Sequence, residues 1–374
     1  MKISSNFDSG NIDVVDAADP ANIALRIRKD TAADFFQWFH FRATGARGTA
    51  CRFSILNAGE ASYPKGWEDY RACASYDRED WFRVPTEYDG KTLAFTHTPE
   101  QDSIYYAYFA PYSRERHRDL IARCQRSPRA RLEVLGETVE GDDLDLLIVG
   151  GDGDAEQRQC WVIGRQHPGE TMAEWWMEGF LDRLLDEADP VAREVLARAT
   201  LHVVPNMNPD GGRLGNLRTN AAGANLNREW AEPSMERSPE VYLVRQRMTE
   251  TGVDFALDVH GDEGLPYNFI AGSDHVPSAD DRMKSLLASY RQAFEAANPD
   301  FQTEFGYPPA KEANLSICAA NLAESFGCLA MTLEMPFKDN AKAPDARAGW
   351  SPARCRRLGA DSLVALHAVL DDLR

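Results

Sequence analysis

From about residue 140 onward the chain repeats one local pattern, a short apolar run followed by a longer stretch of helical character, and few folds accommodate it. The apolar runs are residues 144–149, 160–163, 201–204, 255–259 and 330–335. Their near-continuous apolarity is the form of strands covered on both faces, and the alternation with helical stretches predicts an α/β sheet. The clearest helix follows Glu170, where Ala173, Trp176, Met177, Phe180, Leu181, Leu184 and Leu185 recur at three- and four-residue spacing. That spacing predicts one apolar face packed on the sheet.

The first 115 residues read differently. Aromatic and β-branched runs such as 35–41 and 104–112 are broken by Gly and Pro clusters, which predicts an antiparallel β-module. A segment holding Arg114, Arg116, Arg118, Arg123, Arg126, Arg129 and Arg131 separates the two regions. It is read as a solvated connector helix rather than a docking site for an acidic partner. The expected organisation is a β-module over residues 1–115 and an α/β domain over residues 116–374.

Charge and apolar patterning remove whole classes of function. The 374 residues hold 41 Lys and Arg against 59 Asp and Glu, a net charge of −18. No chain-wide positive field is present to hold nucleic acid or an anionic membrane. The most apolar stretch, 144–151, is interrupted by Asp145 and is far too short to cross a bilayer. Residues 1–15 contain Asp8 and Asp13 and no apolar core of signal-peptide length, so a cytoplasmic location is expected. Seven cysteines without a Cys-x-x-Cys spacing argue against a disulfide framework and a thiolate zinc site, and read as reduced packing residues.

A hydrolytic zinc site takes two His and one carboxylate with a fourth position left for water, and His-x-x-Glu supplies two of these locally. The chain has three such pairs: His97 with Glu100, His167 with Glu170, and His260 with Glu263. His167-Pro168-Gly169-Glu170 follows a strand-like run and precedes the strongest helix, where sites form in open α/β sheets. His97 lies between strand-like runs of the β-module and is read as structural. Asp258 and His260 share a face by the two-residue period of a strand, so Asp258 can back a ligating His260. Glu334 is a lone carboxylate in the apolar run 330–335, a place for a general base or for an ion pair with an Arg.

A second constellation begins at residue 203. Asn206-Met207-Asn208-Pro209-Asp210-Gly211-Gly212 is followed by Arg213, Arg218 and Gly223-Ala224-Asn225-Leu226-Asn227-Arg228. Arg holds a carboxylate through two parallel hydrogen bonds and Asn adds a neutral donor. Asn227 and Arg228 are therefore candidates for gripping a terminal carboxylate, the blander alternatives being a loop cap and a surface charge.

His-x-x-Glu, Asn-Pro-Asp-Gly, Asn-Arg, a later strand-end His and a Glu on the last core strand, in this order, resemble the M14 zinc metallocarboxypeptidases. The His-Pro-Gly-Glu form and the leading β-module look most like the cytosolic carboxypeptidase branch. The resemblance implies a mixed-sheet zinc carboxypeptidase domain preceded by an antiparallel β-sandwich, with one Zn²⁺ bound by His167, Glu170 and His260. It implies Glu334 as catalytic carboxylate, Arg218 at the scissile carbonyl with Arg213 as rival, and Asn227 and Arg228 on the substrate's C-terminal carboxylate. Tyr307 is the candidate for the mobile Tyr that closes over substrate. Asn225 stands where many relatives place an Asp that orients a zinc-ligating His. The partner implied is the C-terminus of a peptide or protein, acidic tails being the class associated with cytosolic relatives. A small-molecule zinc amidase or N-deacylase, and a non-catalytic module that reads C-terminal tails, are the alternatives.

Overall fold

The computed structural model of the chain describes residues 1–151, 157–308 and 312–373. Its centre is a seven-stranded mixed sheet. In spatial order the strands are Ala130–Glu137, Asp143–Val149, Ala199–Val204, Arg158–Gly164, Phe255–Val259, Leu329–Glu334 and Phe269–Gly272. The four from Ala199–Val204 to Leu329–Glu334 run parallel, and the outer ones are antiparallel to their neighbours. All five apolar runs of the sequence are strands here.

The period of two sorts their side chains onto two faces. Leu147, Val149, Cys160 and Val162 join one apolar cluster, while Leu146, Ile148, Trp161 and Ile163 join the other. Helices Met172–Leu184, Asp281–Ala297 and Pro352–Val369 contribute to the first cluster, and Pro239–Thr251 and Cys318–Phe326 to the second.

The helix Met172–Leu184 differs from its expected one-sided packing. Residues 172–181 are all buried, because Pro352–Val369 packs along one flank and Ala110, Tyr112 and Arg116 cover Trp175 and Glu178. The crossing is backbone to backbone. A Cβ on Gly179 would sit 2.0 Å from the Arg356 carbonyl oxygen, and one on Gly359 would sit 2.1 Å from that of Trp176. Side chains at these two positions would force the helices apart.

The N-terminal region forms two five-stranded sheets. Phe41 and Tyr106 of one pack on Phe53 and Phe95 of the other, with ring centroids 4.8–6.4 Å apart, which makes the pair a sandwich. Pairing is antiparallel except between Ile23–Arg26 and Cys51–Ile55, which are parallel. The Arg-rich segment forms the helix Arg114–Cys124, with Ser113 accepting from Arg116 N at its start. Its arginines pair with Asp142, Glu79, Glu115 and Asp182. The seven cysteines are buried, with no disulfide among the described residues. Among the described residues no helix is long and apolar enough to cross a membrane.

Candidate active site and metal centre

Three parallel strands end at one rim of the sheet, and each delivers a titratable side chain there. His167 and Glu170 lie in the loop after Arg158–Gly164, His260 follows Phe255–Val259, and Glu334 closes Leu329–Glu334. The rim is where open α/β sheets form their crevices. Arg165, at a left-handed φ of 57°, shapes the first loop. Its guanidinium pairs with buried Glu174 and donates to the carbonyls of Pro168 and Tyr112, each at 3.0 Å, which offsets that backbone strain.

His167, Glu170 and His260 are buried and converge. Nδ1 of His167 is 2.7 Å from Glu170 Oε1, Nδ1 of His260 is 2.8 Å from Glu170 Oε2, and the two Nδ1 atoms are 3.1 Å apart. Ligands at about 2.0–2.2 Å from one tetrahedral ion would be about 3.3 Å apart, so a small ion fits with little adjustment. The opposite nitrogens are backed by oxygens: His167 Nε2 lies 3.0 Å from Asn225 Oδ1, and His260 Nε2 lies 2.8 Å from Asp258 Oδ2. An Nε2–H donated outward leaves the Nδ1 lone pair facing inward. Two such lone pairs and a carboxylate on one point form a donor set suited to zinc.

The support runs a layer deeper. Trp230 Nε1 donates to Gln166 Oε1 at 2.8 Å, which orients the Gln166 amide so that Nε2 donates to Asp258 Oδ2 at 2.6 Å. Asn208 of the Asn-Pro-Asp-Gly segment accepts from Gly211 N as a helix cap and donates to the Gln166 carbonyl at 2.9 Å. That segment therefore stands behind the trio rather than in the cleft.

Burial sets the baseline for every charge here. It lowers His167 to about 4, with the Arg218 charge acting in the same direction. Glu170 is disfavoured as an anion by burial, but facing His167 and His260 hold its carboxyl well below the usual range. Burial also opposes charge on His260, which Asp258 and Glu170 overcome, raising it. Glu334 is raised well above a normal carboxyl by burial, His260 opposing and Glu170 and Asp262 adding to the rise. Its Oε2 has no hydrogen-bond partner and its Oε1 lies 3.1 Å from the Tyr307 hydroxyl, so the ion pair with Arg considered above is absent among the described residues.

These residues line a cleft of about 1160 Å³, together with Arg218, Asn227, Arg228 and Tyr307. The Tyr63 ring stacks on the Arg218 guanidinium at 5.3 Å, and Glu263, Glu170 and Glu334 favour its charge against burial. Arg213 instead pairs with Glu140, outside the residues lining the cleft. Asn227 accepts from Cys318 N at 2.8 Å and Arg228 donates to the Asn227 carbonyl at 2.6 Å, which ties the two side chains into one turn. The Tyr307 hydroxyl donates to Asp262 Oδ2 at 2.6 Å. His97 is held by the Tyr106 hydroxyl at 2.9 Å within the β-sandwich, far from this cleft in the fold.

Several cleft residues carried no signal in the sequence. Tyr63, Pro64, Lys65 and Gly66 come from the β-sandwich, and Glu263, pushed up to about 8 by burial and by Glu170, lies beside Gly66. Arg291, from the helix Asp281–Ala297, donates to the Ile270 carbonyl at 2.8 Å. Glu263 was visible only as the partner in the third His-x-x-Glu pair.

Comparison with known proteins identifies the family. Residues 3–109 match the family model of the cytosolic carboxypeptidase N-terminal domain, and residues 119–341 match that of the zinc carboxypeptidases. The chain belongs to the M14 zinc carboxypeptidase family. It is a metallocarboxypeptidase, a class of zinc-dependent hydrolases. A metallo-carboxypeptidase from Burkholderia cenocepacia is 52% identical with a TM-score of 0.97, the match covering 99% of each chain. One from Pseudomonas aeruginosa, solved in complex with (2-guanidinoethylmercapto)succinic acid, is 47% identical with a TM-score of 0.97 over 100% of each chain. Human cytosolic carboxypeptidase 6 is 28% identical, the match covering 71% of this chain and 58% of the human protein.

Proposed function

We propose that the chain removes the C-terminal residue of a peptide or protein tail, with one zinc ion held by His167 Nδ1, Glu170 and His260 Nδ1. The observation that carries the reading is the convergence of those three acceptors beside the carboxylate of Glu334, whose Oε2 has no partner. Zinc, when bound, supplies a Lewis acid that acidifies water and polarises a carbonyl. Glu334 is the general base: its raised affinity for a proton suits it to take one from the attacking water and to return it to the leaving amine. Arg218 presents its charge to the oxygen of the scissile carbonyl as negative charge develops there. Asn227 and Arg228 hold the substrate's terminal carboxylate, and Tyr307 covers it. A cytoplasmic location and a division of the chain at 115/116 belong to the same reading.

Arg291 supports an acidic residue at the substrate's terminus. It lies in the cleft with no carboxylate within 4.0 Å among the described residues. The cleft volume exceeds the roughly 300–1000 Å³ common for small-molecule sites, which favours a peptide over an N-acyl amino acid.

The test is metal analysis together with a panel of peptides differing only in the last residue, run on wild type and Glu334→Gln. Wild type is expected to hold one zinc and to release single terminal residues, Glu faster than Lys. The Gln variant should keep its zinc and lose at least about 100-fold in kcat. Full turnover by Glu334→Gln removes the role of base, and a zinc-loaded wild type inert on every peptide removes the function.

A further inference from the structure

One buried carboxylate of the β-sandwich is spent on the catalytic region. Asp30 is 4% exposed, and what holds it charged is not a cation but four donors from three consecutive residues. Its Oδ1 accepts from Leu217 N at 2.6 Å. Its Oδ2 accepts from Arg218 N at 2.7 Å, Thr219 N at 3.0 Å and the Thr219 hydroxyl at 3.2 Å. Asp30 lies nearly 190 residues earlier in the chain.

The middle residue of the three is Arg218. The amides of Arg218 and Thr219 belong to the peptide planes on either side of the Arg218 Cα. Anchoring both planes on one carboxylate fixes φ and ψ at that residue, and with them the direction of its Cβ. Further contacts from the sandwich brace the same turn. Thr31 N and its hydroxyl donate to Asn216 Oδ1 at 3.0 and 3.3 Å, and Asn11 Nδ2 donates to the Gly215 carbonyl at 2.8 Å. Tyr63, also of the sandwich, flanks the guanidinium at the other end of the side chain.

We propose that Asp30 is a positioning residue of the peptidase reaction: it sets the backbone at Arg218 so that the guanidinium meets the substrate carbonyl, making the sandwich a working part of the active site. The inference rests on the reading above in which Arg218 faces that carbonyl. It assigns the N-terminal module a task other than solubility or partner docking.

The test uses the zinc-loaded full chain and the best peptide of the panel. Asp30→Ala is expected to lose about 100-fold in kcat with KM changed less than about 3-fold, the cost of misplacing one transition-state contact. Added to Arg218→Ala, the same substitution should cost no more than about 2-fold, because the group it positions is gone. Lys338→Ala, which removes a contact between the sandwich and the catalytic region away from the Arg218 turn, should leave kcat within about 2-fold. A loss from Asp30→Ala as large in the Arg218→Ala background as in wild type overturns the proposal, since general loosening would act whether or not Arg218 is present. If Asp30→Ala does not fold, Asp30→Asn carries the comparison: it keeps the shape and one acceptor oxygen, and about a 10-fold loss is expected.

Amide hydrogen exchange gives a reading independent of turnover. In Asp30→Asn the amides of residues 217–219 should exchange at least about 10-fold faster, with those of Phe255–Val259 unchanged. Unchanged exchange at Arg218 overturns the proposal even if activity falls. A wild type inert on all peptides would instead sink the function, while exchange still reports separately whether Asp30 holds the turn.

Discussion

The two imidazoles of the trio turn the same ring nitrogen inward but are backed by different groups, a neutral amide at His167 and a carboxylate at His260. A carboxylate raises the basicity of the imidazole it accepts from, whereas an amide fixes the tautomer and adds little charge. His167 accordingly titrates low, at about 4, under burial and the Arg218 charge, while His260 is held up by Asp258 and Glu170 against burial. The amide's contribution is measurable. Asn225→Ala leaves His167 Nε2–H without its acceptor, and zinc affinity, read by competition with a chelator, should fall about 10- to 100-fold. Asn225→Asp should restore the affinity of the wild type or exceed it. Unchanged affinity in the Ala variant would show that Asn225 has no part in orienting His167. His260 and Glu334 could be singled out in the sequence because each is chemically out of place where it stands. A His at a strand end and a Glu inside an apolar run announce themselves to anyone counting polar groups. Asp30 does not: it sits in an ordinary polar stretch, and its four donors are supplied by residues 217–219, which no local pattern connects to it.

Among the elements, the crossing of Met172–Leu184 with Pro352–Val369 sets the position of the first ligand loop, because that loop runs directly into the first of these helices. Two effects compete at Gly359. Ala in a helix interior is favoured over Gly by about 1 kcal/mol, but its Cβ would stand 2.1 Å from the Trp176 carbonyl oxygen, which is backbone and cannot swing aside. Overpacking of this kind costs about 1–3 kcal/mol and here separates two helices, so it wins. Gly359→Ala should lower the urea midpoint by an amount equivalent to about 1–2 kcal/mol, and a midpoint that rises would mean the helices part freely. The same crossing explains why the apolar period was an incomplete guide. Spacing identified the helix and the face toward the sheet, but one flank is covered by a helix about 180 residues later, and the glycine that permits this looks in sequence like a weak helix former. The strands divide similarly. Those buried on both sides stood out as apolar runs, whereas the two edge strands went unnoticed: Ala130–Glu137 is largely half-exposed and Phe269–Gly272 is only four residues long.

Across the whole molecule, the β-sandwich and the α/β domain share one apolar cluster and exchange specific contacts. The Tyr108 and Phe337 rings stack at 4.4 Å, Arg83 donates to the carbonyls of Phe337 and Trp350 at 2.8 and 3.1 Å, and Lys338 donates to the Glu68 carbonyl at 2.7 Å. The sequence separated a β-rich beginning from an α/β remainder on composition, but this union is built from pairs distant in the chain and leaves no periodic trace. The trio His167, Glu170 and His260 joins the ends of Arg158–Gly164 and Phe255–Val259 at the cleft. Removing the metal should therefore be felt by the fold as a whole. Without a cation the two inward Nδ1 atoms and the Glu170 carboxylate have only one another in a buried space, and the strand ends lose their shared tie. Free zinc at about 100 times its dissociation constant contributes about 2.7 kcal/mol, which at about 1.3 °C per kcal/mol for a chain of this size gives a Tm about 3–4 °C higher in the loaded protein. Calorimetry of the chelated and reconstituted chain measures the difference. The shift should reverse on adding zinc and vanish in His260→Ala, whose remaining pair of donors holds the ion weakly. An identical Tm with and without zinc in the wild type would mean that these three side chains do not bind it.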